Sequence, residues 1–125
     1  MFKQTYYIDA PVKDVWHALI NPKTIKLWSG QNASMSDEVG FNFKLWNGEI
    51  FGKNTKVFKG KQLVQDWLQL GWSSPSTVSI ELLAKDNKTK INLIHSNFPL
   101  TEQKDLEEGW EKYYFGAIKN LLEGS

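Results

Sequence analysis

Two polar side chains, His95 and Asn97, stand two residues apart in the strand-like run Ile91 to Phe98. Their spacing of two places them on the strand face shared with Ile91 and Leu93, which points toward the interior. A polar pair among aromatics can orient a small molecule inside an apolar pocket. The competing assignment for His95 is a half-buried imidazole hydrogen-bonded to a neighbouring element. His17 lies off the apolar stripe of its own segment and is expected in solvent. With two His, no Cys and no close pairing, no metal site is expected, and no cofactor. No Ser stands in a nucleophile-elbow context. Glu49, Asp66, Glu81, Glu107 and Glu108 are carboxylates, yet alternation drives no pair of them into a cavity, and Asp66 and Glu81 read as outward-facing. An enzyme of the cyclase or hydrolase kind is therefore not the expectation. A second group, Lys53, Lys56, Lys59 and Lys61, is a candidate surface for a protein partner, or a solvated rim.

The elements that must position these residues follow from periodicity. Residues 3–8 read as a first strand. Val12, Val15, Trp16, Leu19 and Ile20 form a helical stripe, which Asn21-Pro22 ends. Residues 23–28 make a second short helix, closed by Ser29-Gly30. From Gln31 onward the period becomes two. Strands are expected at 32–36, 41–46, 49–58, 63–70, 78–82 and 91–95, with turns at Asn47-Gly48, Lys59-Gly60 and Asp86-Asn87. Asn47-Gly48 suits a two-residue type I′ turn, and Gly52 marks a bulge or a close approach. The loop of residues 71–77 is small and polar.

The last segment is GWEKYYFGAIKNLL. Trp110, Tyr113, Tyr114, Ala117, Ile118 and Leu121 recur at helical spacing as one apolar stripe, with Thr101 as the expected N-cap. Gly109 and Gly116 lie inside this helix, where their expected use is close approach to the sheet. A stripe with three aromatics needs a concave partner, and the preceding strands can supply one. The fold class is α+β: a curved antiparallel sheet of about six or seven strands around a long C-terminal helix, a helix-grip architecture. Two short helices follow the first strand.

Composition bounds the possibilities. The chain has 125 residues, the size of one domain. Net charge is +1 and every one of the 15 basic residues is Lys. Bulk electrostatics thus point to neither nucleic acid nor a membrane surface. The start lacks the apolar run of a signal peptide, and no apolar segment reaches spanning length, so a cytoplasmic protein is expected.

The chain resembles the activator of heat-shock-protein-90 ATPase family in its C-terminal-domain form, within the START-like (SRPBCC, birch-pollen-allergen-like) superfamily. The resemblance covers essentially residues 1–125, read as a single domain. It rests on IDAPVKDVWHALINPKTIKLWSG, FKLWNGEIFGKNTKVFKGKQLVQDWLQLGW, INLIHSNFP and the C-terminal segment. Asn47-Gly48, Ile50 and Gly52-Lys53-Asn54 are similar to the family's glycine-punctuated hairpin. Leu68 departs from it, because members often carry a basic residue there, commonly Arg. The separate N-terminal domain of the eukaryotic co-chaperone has no counterpart, so a stand-alone relative is expected.

Two functions follow as expectations. The first is non-enzymatic binding of a small hydrophobic or amphipathic molecule between sheet and helix, by Trp28, His95, Trp110 and Tyr114 with Asn97 at the edge. Here His95→Leu is expected to alter ligand choice more than stability. The alternative, implied by the resemblance, is a module that binds a heat-shock-protein-90-type chaperone and stimulates its ATPase through the outer sheet face and the four lysines.

Overall fold

A computed structural model describes residues 1–124. Six strands form one antiparallel sheet: β1 (Phe2–Ile8), β2 (Asn42–Leu45), β3 (Ile50–Phe58), β4 (Gln62–Gln69), β5 (Ser76–Lys85) and β6 (Lys88–Ser96). Strands β2 to β6 run as a meander, and β1 completes the order β1-β6-β5-β4-β3-β2 by pairing with the free edge of β6. Helices α1 (Val12–Ile20) and α2 (Pro22–Ser29) follow β1. Asn21 links them: its side chain accepts from Thr24 N at 3.0 Å, capping α2 just before Pro22. The C-terminal helix consists of α3 (Gln103–Gly109), a π-helical turn (Trp110–Phe115) and α4 (Gly116–Glu123). Both short helices pack against α4, closing one end of the grip. Among the described residues, no helix is long and apolar enough to cross a membrane.

Alternation builds the concave face. Phe43, Leu45, Leu63, Trp67, Val78, Ile80, Leu82, Ile91 and Leu93 point inward and are buried. One register shift matters. Between Asn54 and Lys56 a bulge inserts Thr55, so that Asn54 and Val57 face in while Lys53, Lys56 and Phe58 face out. Without that extra residue Lys56 would point into the core. Gly52 sits where β3 is pinched: a Cβ there would meet the Asp66 carbonyl oxygen at 1.8 Å. Two residues on, the fully buried Asn54 donates to the carbonyls of Ser36 (2.9 Å) and Glu38 (3.2 Å), fastening the segment that precedes β2. The Gly-Lys-Asn run is thus close approach, outward lysine and buried staple in succession.

Several local expectations are corrected. Residues 32–36 make a single bridge, Ser34 to Lys44, rather than a strand. Asn47-Gly48 does not form a two-residue turn. Trp46, Asn47 and Gly48 all take left-handed backbone (φ 49°, 57° and 91°), and the loop spans four residues between the Leu45–Ile50 pair. The two-residue left-handed turn occurs instead at Asp86-Asn87, between paired Lys85 and Lys88. Thr101 does not cap the helix, because a 3₁₀ turn (Leu100–Glu102) leads into it. Gly109 and Gly116 do not bring the helix onto the sheet. A Cβ at Gly116 would meet the helix's own Glu111 carbonyl at 2.2 Å, and one at Gly109 would meet nothing.

The π-helical turn also corrects the apolar stripe. It fits an extra residue into one turn, so that Trp110, Tyr114 and Phe115 are all buried. Tyr113, expected inward, is turned out to 67% exposure.

Candidate functional site

A cleft of about 500 Å³ opens between the sheet and the first half of the C-terminal helix. The helix contributes Leu106, Gly109, Trp110, Tyr113 and Tyr114. Across from it stand Trp67, Gln69 and Leu70 of β4 and its following loop. Trp46 and Ile50 close the β2–β3 end. The mouth carries exposed apolar groups, Leu70 and Tyr113, beside three carboxylates, Glu49, Glu102 and Asp105. Among the described residues, no lysine borders it.

Each wall is held in place from behind. Trp67 and Trp110 stack with centroids 4.7 Å apart and planes 17° apart. His95, fully buried, sets both. Trp110 Nε1 donates to His95 Nδ1 at 3.1 Å, which leaves the proton on Nε2. Nε2 lies 2.8 Å from Ser76 Oγ and donates to it, and Ser76 Oγ donates to the Trp67 carbonyl at 3.1 Å. The chain of donors thus runs from one wall of the cleft, through the imidazole, to the backbone of the other. Every polar atom of the ring is satisfied in the neutral state. Burial, and secondarily the charge of the chain's N-terminus, lowers the His95 pKa from the ordinary 6.5 to about 4.

The third wall depends on the left-handed loop. Trp46 at φ 49° is uncommon for a bulky side chain. Asn47 holds the loop: its N–H donates to the Asn32 carbonyl and its side-chain oxygen accepts from Asn32 N, both at 3.1 Å. Trp46 then meets Trp28 at 5.8 Å and Tyr114 at 6.1 Å. Burial pushes the Tyr114 phenol above its ordinary pKa, so it stays neutral.

Of the residues named from sequence, Trp110 and Tyr114 border the cleft. His95 lies behind its walls as their common anchor. Trp28 is core: its Nε1 donates to the Ala18 carbonyl at 2.8 Å, and its ring supports Tyr114 at 4.8 Å. Asn97 is not on the inward face. It follows the end of β6, exposed, in the left-handed region at φ 61°, where the chain turns and the alternation rule no longer applies. Three carboxylates that alternation does not relate, Glu49, Glu102 and Asp105, border the mouth from three separate elements. Ser76, taken for loop, is a buried member of β5 and part of the relay. Its signal was the alternation Ser76, Val78, Ile80, which extends the strand backward by one inward position.

The lysines divide. Lys53 and Lys56 project from the outer sheet face, and Lys59 and Lys61 flank the β3–β4 turn. Lys56 Nζ lies 5.1 Å from the Phe58 ring centroid, and Lys59 pairs with Asp37 at 3.7 Å in solvent. Both contacts are worth little to stability at such exposure. Among the described residues, no cluster of three or more His, Cys, Asp or Glu could hold a metal ion.

The fold is shared with known proteins. The profile of the activator of Hsp90 ATPase homolog 1-like family matches residues 9–123. The chain belongs to that family. An activator of 90 kDa heat shock protein ATPase homolog from Dictyostelium discoideum is 27% identical over 113 residues. That alignment covers 87% of this chain and 29% of the relative. The structure superimposes with a TM-score of 0.88 on an HSP90 activator from Plasmodium falciparum, at 27% identity, covering 97% of this chain and 94% of that one. CalU16 from Micromonospora echinospora gives a TM-score of 0.82 at 25% identity, over 98% of this chain and 72% of that one. The family's helix-grip fold is thus present, while the chain spans less than a third of the Dictyostelium protein's length.

Proposed function

We propose that this family member is a binding protein that holds a small hydrophobic or amphipathic molecule in the cleft between sheet and C-terminal helix. The observation that supports this most is the cleft's construction. Four aromatic rings, Trp46, Trp67, Trp110 and Tyr114, surround a space of ligand size, and the buried His95 relay fixes two of them. Apolar burial at about 25 cal/mol per Å² supplies affinity. Turnover is not part of the proposal. The imidazole nearest the cleft is engaged on both nitrogens, and the carboxylates sit at a wet mouth rather than around a protected reaction centre.

Gly109 offers the test. It borders the cleft, has ordinary helical backbone, and its Cβ direction is empty. Gly109→Leu should therefore fold and gain up to about 1 kcal/mol of helix propensity, yet fill the cleft. Titration with the fluorescent apolar probe N-phenyl-1-naphthylamine should show saturable binding to the wild type and at least tenfold weaker binding to Gly109→Leu, with a melting temperature equal or higher. Equal probe binding by both proteins refutes the assignment.

The relatives carry a second reading, a module that engages a heat-shock-protein-90-type chaperone. Its contact surface would be the outer face around Lys53 and Lys56, with Lys59 and Lys61 at the turn. Association should then weaken steeply with salt, which a pull-down with the purified chaperone at low and high ionic strength measures. Salt-independent capture, or none at low salt, removes it.

A further inference from the structure

Trp46 points where its strand would not send it. In β2 the side chains alternate: Asn42 and Lys44 are exposed, Phe43 and Leu45 buried. A regular hairpin would therefore turn Trp46 onto the outer sheet face beside Lys44. Three consecutive left-handed residues redirect it. With Trp46, Asn47 and Gly48 at φ 49°, 57° and 91°, the indole lies against Trp28 and Tyr114 at one end of the cleft. Asn and Gly tolerate that backbone, whereas a bulky side chain is strained in it. Contacts on both sides of the loop hold the strain in place. Asn47 N–H donates to the Asn32 carbonyl, its side-chain oxygen accepts from Asn32 N, and its Nδ2 donates to Gln31 Oε1. On the other side, Leu70 N–H donates to the Glu49 carbonyl at 3.1 Å. Core packing alone does not account for this, because the Trp46 ring is only partly buried. A strained residue that its surroundings aim at a pocket points to a functional role.

We infer that Trp46 determines the specificity of the cleft: its ring is the stop that sets the longest apolar chain the cleft accepts, and Asn47 is the positioning residue that holds it there. This rests on the binding reading above and adds the residue that selects among ligands.

The experiment displaces N-phenyl-1-naphthylamine with straight-chain primary alcohols from hexanol to dodecanol. Affinity for the wild type should rise about fourfold per added methylene and then level off where the chain meets Trp46. In Trp46→Gly the slope should be the same, and the levelling should come about two carbons or more later, because the space of the ring is left open. Glycine suits the left-handed position, and circular dichroism verifies the fold. Asn47→Gly also suits its backbone and keeps the ring, yet removes the side-chain bonds to Asn32 and Gln31, so its levelling should come later too. It decides alone if Trp46→Gly does not fold. A later levelling in Trp46→Gly with none in Asn47→Gly keeps the stop and refutes the positioning role. An unmoved levelling in folded Trp46→Gly, or a wild-type series that rises unbroken to dodecanol, overturns the inference and leaves the cleft reading standing. Absence of probe binding to the wild type refutes both.

Discussion

Gly52→Ala should destabilise the protein by about 3 kcal/mol or more, lowering the melting temperature by about 10 °C or more. The new methyl would stand 1.8 Å from the Asp66 carbonyl oxygen and 3.1 Å from the Phe43 ring. The first obstacle is backbone in the adjoining strand, so no side-chain rotation relieves it. Strand β3 or β4 must move, and both carry walls of the cleft. In an unconstrained strand the same substitution would stabilise by roughly 0.5–1 kcal/mol, so even the sign is diagnostic. Urea and thermal unfolding followed by circular dichroism measure it, and an unchanged or raised midpoint refutes the pinched geometry.

Acid should unfold the protein through His95. The imidazole titrates near 6.5 in the unfolded chain and at about 4 in the folded one. Between those values the unfolded state binds the extra proton, so stability is full above pH 6.5 and falls as pH drops toward 4. The loss at pH 4 is about 3 kcal/mol. Protonating Nδ1 would turn the acceptor of the Trp110 N–H into a second donor, which breaks the relay. Unfolding free energies at intervals from pH 7.5 to 4 should therefore show a fall that is absent, over the same interval, in His95→Gln. Parallel profiles in the two proteins contradict the relay. For the same reason, His95→Leu is now expected to lower stability by about 1–3 kcal/mol, because it orphans the Trp110 donor. The sequence-based expectation that it would mainly alter ligand choice put His95 in the pocket rather than behind it.

That difference shows what periodicity reveals. Alternation put His95 on the inward face correctly, and helical spacing buried Trp110, Tyr114 and Ile118. The grip architecture followed from the order of periods, and Gly52 was readable as a close approach. Periodicity gives the face but not the depth, so a wall of the cleft and a residue behind that wall look alike. Trp28 and His95 were misplaced in this way. It also fails wherever a residue is inserted. The Thr55 bulge, the left-handed Trp46 loop and the π-helical turn each shift the phase by local backbone geometry that composition does not announce. Those same irregularities aim Trp46 and Tyr113 and bring Glu49 to the mouth. The acidic mouth was therefore illegible, because its three carboxylates are neighbours only through tertiary structure.

Nuclear magnetic resonance of the uniformly ¹⁵N-labelled protein, titrated with N-phenyl-1-naphthylamine, tests the binding cleft most directly. The six tryptophans report through their indole N–H signals. Saturable shifts at Trp46, Trp67 and Trp110, with Trp16 unmoved in the α1 core and the amides of Lys53 and Lys56 unmoved on the outer face, are the predicted result. Shifts confined to the outer face, or no saturable shift in the folded protein, would contradict it.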